Sequence, residues 1–301
     1  MIERPAPIDR SVPLRGCPVA CIDFEATTHA GPDAHVVDVA VVHVELGSEE
    51  PPRIAFRSLV RPPVSIPADA TRVHGIDDAA VAAAPSWAEV APLVEVALAG
   101  RLPAAYCAPA DYTFLATEQE RLGRAPVAWP WLDLLVVRKA TKTRGRPGRL
   151  VELAQEHGIV LDAHGATGDA LSLAYLVRPL MRAAWSAGAF RGPAGAQPRR
   201  WNGGDEEDED DAPTMKTVGD LLAWQRSAAL WQERDFADYC LRRGDRIAPR
   251  CDWHRIEGVP EPTWGQATPT TRCSCGALIT RRIGQDGQQR VLGADGEVHS
   301  C

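Results

Sequence analysis

The sequence predicts an α/β layer fold. Three apolar, largely β-branched segments lie near the N-terminus, and helical and strand patterns then alternate up to about Arg182. Pro18 to Glu25 (PVACIDFE) reads as a buried strand, His35 to Val44 as a second and Arg53 to Val60 as a third. A Pro-rich loop containing His74 follows. Ser86 and Glu89 form a capping-box pair that opens a helix running towards Ala99, because each side chain can reach the other residue's backbone N–H. Ala104 to Cys107 reads as a short strand, Asp111 to Leu122 as a helix stopped at Gly123, and Arg149 to His157 as a helix with Gly158 as its left-handed stop. Thr167 to Arg182 is a further helix that places Leu173, Leu176 and Leu180 on one face.

Composition sets limits on the rest. The 301 residues are 45% hydrophobic and 24% charged, enough to bury one ordinary domain with accessory segments. No stretch approaches the roughly 20 apolar residues of a membrane span, and Met1 to Gly16 has no apolar core of a secretory signal, so the expected location is cytoplasmic with no membrane partner. The net charge of −7 equals the seven acidic residues of the run Asp205 to Asp211; without them 33 acidic residues balance 33 basic ones. The run reads as a solvated spacer, and the acidity of the whole chain excludes no partner. The expected organisation is an N-terminal tail at 1–16, an α/β domain at 17–182, an acidic flexible linker at 183–213, a helical segment at 214–249 and a Cys/His-containing module at 250–301.

Asp23 and Glu25 stand two apart in an otherwise apolar strand, so alternation sends both to one face. Two like charges in a half-buried site repel, unless divalent cations that favour hard oxygen ligands neutralise them. On its own such a pair is more often a surface feature. Two further stretches follow in order: YCAPADYTFL, with Asp111 at the start of a helix, and HGATGDALSLAYL, with His164 five residues before Asp169.

With CIDFEATT and the intervening LVRPPVSIPADATRVHGID, these motifs resemble the DnaQ-like 3′–5′ exonucleases of the DEDDh group over roughly residues 17–182. The resemblance implies a ribonuclease H-like mixed sheet flanked by helices. It implies that Asp23, Glu25, Asp111 and Asp169 are ligands of two Mg²⁺ or Mn²⁺ ions and that His164 deprotonates the attacking water. It also implies that the substrate is a single-stranded DNA or RNA 3′ end; the HGID stretch is similar to the proofreading-type branch, which favours DNA. Where the family often has His-Asn-Ala-x-Phe-Asp, this chain has Tyr106, Cys107, Ala108, Pro109, Ala110 and Asp111, which keeps the aspartate but changes its surroundings. His74 matches a family loop near the active site and is a candidate substrate contact. The basic stretch Arg138 to Arg149, with Arg138, Lys139, Lys142 and Arg144, is a second candidate, as a phosphate-binding segment or a solvated loop.

Cys273-Ser-Cys275 and His299-Ser-Cys301 form two ligand pairs around a Gly-punctuated hairpin pattern and resemble a zinc ribbon. One structural Zn²⁺ on Cys273, Cys275, His299 and Cys301 is expected, with Cys251 and His254 as alternative ligands. Such a module, with Trp253 or Trp264, would hold substrate or a protein partner. The competing reading is a non-catalytic nucleic-acid-binding or adaptor protein that works through this module.

Overall fold

A computed structural model of the chain describes residues 5–141, 148–159, 165–186, 189–190, 215–243, 271–272, 278–283 and 289–292, which divide into two units at Ala229/Leu230. The first unit is built on a five-stranded mixed sheet in the order β3-β2-β1-β4-β5. Its strands are β1 (Pro18–Ala26), β2 (Val36–Glu45), β3 (Arg53–Leu59), β4 (Leu102–Ala105) and β5 (Leu132–Asp133). β1 pairs antiparallel with β2, and β2 with β3, whereas β1–β4 and β4–β5 are parallel. The three early segments therefore form a meander, and the parallel strands arrive through helices, as parallel pairing requires a crossover.

Alternation along β1 explains how the sheet is covered. Val19 and Cys21 share a core with Ala40, Val42 and Val44 of β2 and with the apolar stripe of α7 (Ala166–Ser186), including Leu173, Leu176 and Leu180. On the opposite face Phe24 meets Trp87 of α3 (Trp87–Leu98) and Phe114 of α4 (Ala108–Arg121), with ring centroids 6.3 and 6.1 Å apart. The mixed sheet is thus flanked by helices, as predicted. α3 opens at the expected pair: the Glu89 carboxylate accepts from the Ser86 backbone N–H at 2.8 Å and from its hydroxyl at 2.7 Å.

Several elements differ from the sequence reading. The Pro-rich loop contains two short helices, α1 (Ala68–His74) and α2 (Asp78–Val81), the latter capped by Asp77 accepting from the Ala80 N–H. The fourth strand begins and ends two residues early, because Cys107 adopts φ +88° and cannot continue a strand. α4 starts at Ala108 rather than Asp111, and β5 leads directly into α5 (Leu134–Thr141), whereas α6 (Leu150–Glu156) agrees with the expected helix and has Gly158 at φ +70° as its stop. α7 runs on to Ser186, past the expected end at Arg182, and the nearby Phe190 is buried against Trp224, with ring centroids 4.6 Å apart.

Within the segment expected as a tail at 1–16, residues 8–14 pack on the rest of the fold. Ile8 and Leu14 are buried in the main core, and Leu14 N–H donates to the Lys216 carbonyl at 2.8 Å. The same segment accepts from the start of α8 (Val218–Arg243): Val218 N–H donates to Val12 O at 2.9 Å and Gly219 N–H to Arg10 O at 2.7 Å. Val218, Leu221 and Leu222 complete the core beneath α7. In the second unit, β6 (Thr271–Arg272), β7 (Leu278–Ile283) and β8 (Gln289–Leu292) make a three-stranded antiparallel sheet. Among the described residues no helix is long and apolar enough to cross a membrane.

Leu221 is fully buried, so Leu221→Ala is expected to destabilise the protein by about 2 to 5 kcal/mol. Urea unfolding checks this, and an unchanged midpoint would show that α8 is not part of this core.

Candidate active site

The face of β1 that carries Val19 and Cys21 continues as Asp23 and Glu25, so the core stripe turns acidic towards the C-terminal end of the strand. On β2 the same change occurs: Ala40, Val42 and Val44 are core, and Asp38, in register with Glu25, is acidic. α7 lies over this face, and its first turn brings in Asp169. Carboxylate oxygens of Asp23, Glu25 and Asp169 all lie within 4.8 Å of one another, a spacing suited to a shared cation. Asp111 enters from the first turn of α4, beyond the end of β4, and is buried. Both helical aspartates therefore sit at helix N-termini, where the positive end of the helix dipole favours an anion.

Their electrostatics are those of a site built around positive charge it does not itself contain. Burial, and then the neighbouring Asp169 and Asp38, push the Glu25 carboxyl up to about 7. Asp23 is held well above the usual carboxylate range by burial and by Asp111, Asp169, Glu25 and Asp38. Asp111 is raised likewise, by burial first and then by Cys107, Asp133 and Glu25. A divalent cation reverses this sign of shift, because it favours the ionised form of each ligand. Hard carboxylate oxygens at this spacing fit Mg²⁺ or Mn²⁺.

Two carboxylates missed in the sequence belong to the same neighbourhood. Asp38 Oδ2 accepts from the Ala166 backbone N–H at 3.2 Å and so caps the helix that delivers Asp169. Asp133 is fully buried on β5, and its Oδ1 accepts from the backbone N–H groups of Cys107 (3.2 Å), Leu135 (2.8 Å) and Val136 (3.4 Å). Each interrupts an apolar strand, which is the same signal that marked Asp23.

The other predicted residues fall out differently. His74 is buried at the end of α1, and its Nδ1 accepts from the Ile76 N–H at 3.1 Å, closing the turn at Gly75. Its Nε2 makes no hydrogen bond of normal geometry, although the Ala26 backbone favours the protonated ring; burial outweighs that and lowers the pKa. The Arg138 guanidinium pairs with Glu156 at 2.6 Å, and Lys139 lies on the last turn of α5. Lys142, Arg144 and His164 lie outside the described residues, as do Cys251, His254, Cys273, Cys275, His299 and Cys301. His164 precedes Gly165, whose carbonyl accepts from the Asp169 N–H at 3.1 Å.

The chain matches the RNase_T exonuclease family over residues 20–177, the segment that contains Asp23, Glu25, Asp111, His164 and Asp169. It is 31% identical over 142 residues to a DNA polymerase III subunit epsilon-like protein of Rhodobacter capsulatus, a match covering 46% of this chain and 20% of that protein. It is 38% identical over 69 residues to the uncharacterized exonuclease CP81 of Escherichia phage 186, covering 23% of this chain and 32% of that one. The chain thus spans between a fifth and a third of the length of these curated relatives. Similar solved structures include exonuclease X in complex with 5′ overhanging duplex DNA (TM-score 0.44, 22% identity, 55% of this chain and 91% of that one). Another is E. coli exonuclease I in complex with a dT13 oligonucleotide (TM-score 0.47, 18% identity, 56% of this chain and 42% of that one). The family match spans more than half of the chain and includes the three acidic motifs with Asp23, Glu25, Asp111 and Asp169, and on that ground the protein belongs to the RNase_T exonuclease family.

Proposed function

We propose that the chain is a metal-dependent 3′–5′ exonuclease that hydrolyses the terminal phosphodiester of single-stranded nucleic acid and releases nucleoside 5′-monophosphates. The observation that carries this reading is the convergence of Asp23, Glu25 and Asp169 within 4.8 Å, with the carboxyls of Asp23 and Glu25 raised, inside the family match. Asp23, Glu25, Asp111 and Asp169 would hold two Mg²⁺ or Mn²⁺ ions. When bound, the ions supply Lewis-acid polarisation of the phosphate and neutralise the charge that develops on the attacking and leaving oxygens.

The chain's own residues then have separate tasks. His164 takes a proton from the attacking water, a role suited to an imidazole that changes charge near neutral pH. Asp38 holds the start of α7 and with it the position of Asp169. Lys139, Lys142 and Arg144 contact the phosphates upstream of the scissile bond. DNA is the favoured substrate: the Rhodobacter relative is named for a DNA polymerase subunit, and the HGID stretch resembles the proofreading branch. Cys273, Cys275, His299 and Cys301 bind one structural Zn²⁺. In support, the Cys273-Ser-Cys275 and His299-Ser-Cys301 pairs and the Gly-punctuated stretch between them resemble a zinc ribbon in sequence.

An end-labelled degradation assay with matched single-stranded DNA and RNA tests the central reading. A ladder receding from the 3′ end is expected in Mg²⁺ or Mn²⁺ and not in chelator, fastest on DNA. Asp23→Ala is expected to lower the rate about a thousandfold, equivalent to several kcal/mol of lost transition-state stabilisation. His164→Ala is expected to lower it by about 10²- to 10⁴-fold. Retained nucleic-acid binding with no shortening of either strand in either metal would establish the adaptor reading instead.

A pH dependence follows from Glu25, whose carboxyl titrates at about 7 in the metal-free site. Below that pH it is protonated and cannot ligate, so at subsaturating Mg²⁺ the rate is expected to climb as pH rises through about 7. At saturating Mg²⁺ the climb moves to lower pH, because the cation favours the ionised carboxylate. Initial rates across pH at two Mg²⁺ concentrations check this, and a profile independent of Mg²⁺ would contradict it.

A further inference from the structure

The family match ends at residue 177, but a side chain beyond it reaches the active-site layer. Gln225 on α8 is fully buried. Its Nε2 donates to the Trp131 carbonyl at 2.8 Å, and its Oε1 accepts from the Asp133 backbone N–H at 2.7 Å. β5 is the outermost strand on this side of the sheet. One side-chain amide thus satisfies a donor and an acceptor on its open edge, as a further strand would. Left unpaired in the core, each group would be costly.

Both residues that Gln225 grips act on the first turn of α4. The Asp133 carboxylate accepts from the Cys107 backbone N–H at 3.2 Å, at the one described non-glycine residue with positive φ. A Cys in that left-handed conformation is strained and persists only where its surroundings fix it. The Trp131 ring packs edge-on against Tyr112, with centroids 6.4 Å apart and an interplanar angle of 86°. Cys107 is the residue before α4 begins and Tyr112 follows Asp111 directly, so the two contacts bracket the second-motif aspartate.

We propose that Gln225 is a positioning residue for Asp111: by locking Asp133 on the edge strand and Trp131 just before it, it fixes both ends of the α4 turn that carries this carboxylate. The inference rests on the exonuclease reading for its kinetic consequence and on metal binding for an independent one. It makes α8 part of the active-site scaffold, so residues 20–177 alone would form an incomplete enzyme.

The test uses the full chain with Gln225→Leu, which removes both hydrogen bonds at similar volume, and Gln225→Asn, whose amide is one methylene too short to reach both backbone groups. Steady-state hydrolysis of a labelled oligonucleotide, Mn²⁺ binding by electron paramagnetic resonance and thermal unfolding are measured in parallel. The expected result is a folded variant with kcat lowered about ten- to a hundredfold, the scale of a misplacement near 1 Å, and KM little changed. Its Mn²⁺ binding is expected to weaken. A lower melting temperature with kcat and Mn²⁺ binding equal to wild type would overturn the proposal, since that is what a purely structural contact predicts. If Gln225→Leu fails to fold, Gln225→Asn gives the same readouts. If the wild type does not hydrolyse nucleic acid, the exonuclease reading fails on its own, and the Mn²⁺ isotherms of wild type and variant still decide the role of Gln225.

Discussion

Repulsion among carboxylates at the end of a buried strand is the constraint around which this fold is arranged. Ligand oxygens of Asp23, Glu25 and Asp169 lie within 4.8 Å of one another, and Asp111 and Asp38 add to the field that raises Asp23. In the absence of cations that arrangement opposes folding, because each group must leave water and face like charges. It persists because the other half of the same strand face is apolar and covered: Val19 and Cys21 precede the acidic pair on that face, and both are fully buried. One half of β1 thus contributes to the apolar core and the other half to the carboxylate cluster.

The elements that deliver the outer carboxylates are each fixed by a second carboxylate or an amide. Asp38 caps α7 through the Ala166 N–H, and α7 carries Asp169. Asp133 holds the left-handed turn at Cys107, and α4 carries Asp111. Residues outside the family match supply the backing. The segment containing Ile8 and Leu14 pairs with the start of α8, and α8 closes the core beneath α7. α8 also reaches β5 through Gln225.

Much of this was legible in the sequence because it depends on period. The three meander strands and the α3 and α7 helices follow from apolar alternation and capping residues, and the placement of Asp23 beside Glu25 follows from the two-residue repeat of a strand. What was not legible depends on tertiary contacts. α1 and α2 are too short to show a helical period, and Pro and Gly around them read as loop. At Cys107 nothing local signals a left-handed cysteine, so the pattern there is that of a strand; the carboxylate that holds it is Asp133, 26 residues away. The N-terminal residues looked like a tail because their partner, Lys216, lies two hundred residues further along the chain. Asp38 did carry a local signal, an acid inside a β-branched strand, and its significance emerges only when β2 pairs with β1 in a register that sets it opposite Glu25.

The most direct measurement is thermal unfolding at pH 8 of wild type and Asp23→Asn, each in chelator and in Mg²⁺. Glu25 titrates at about 7 in the folded protein against an ordinary 4.5, so the metal-free fold binds protons that the unfolded chain releases. Its stability therefore falls as pH rises across that interval and is lowest above it. At pH 8 the account predicts that Mg²⁺ raises the wild-type melting temperature. It predicts that Asp23→Asn melts higher than wild type in chelator, through relief of repulsion, and loses most of the Mg²⁺ response. A variant that melts lower than wild type in chelator while keeping the full Mg²⁺ shift would show that the carboxylates are not held together for cations.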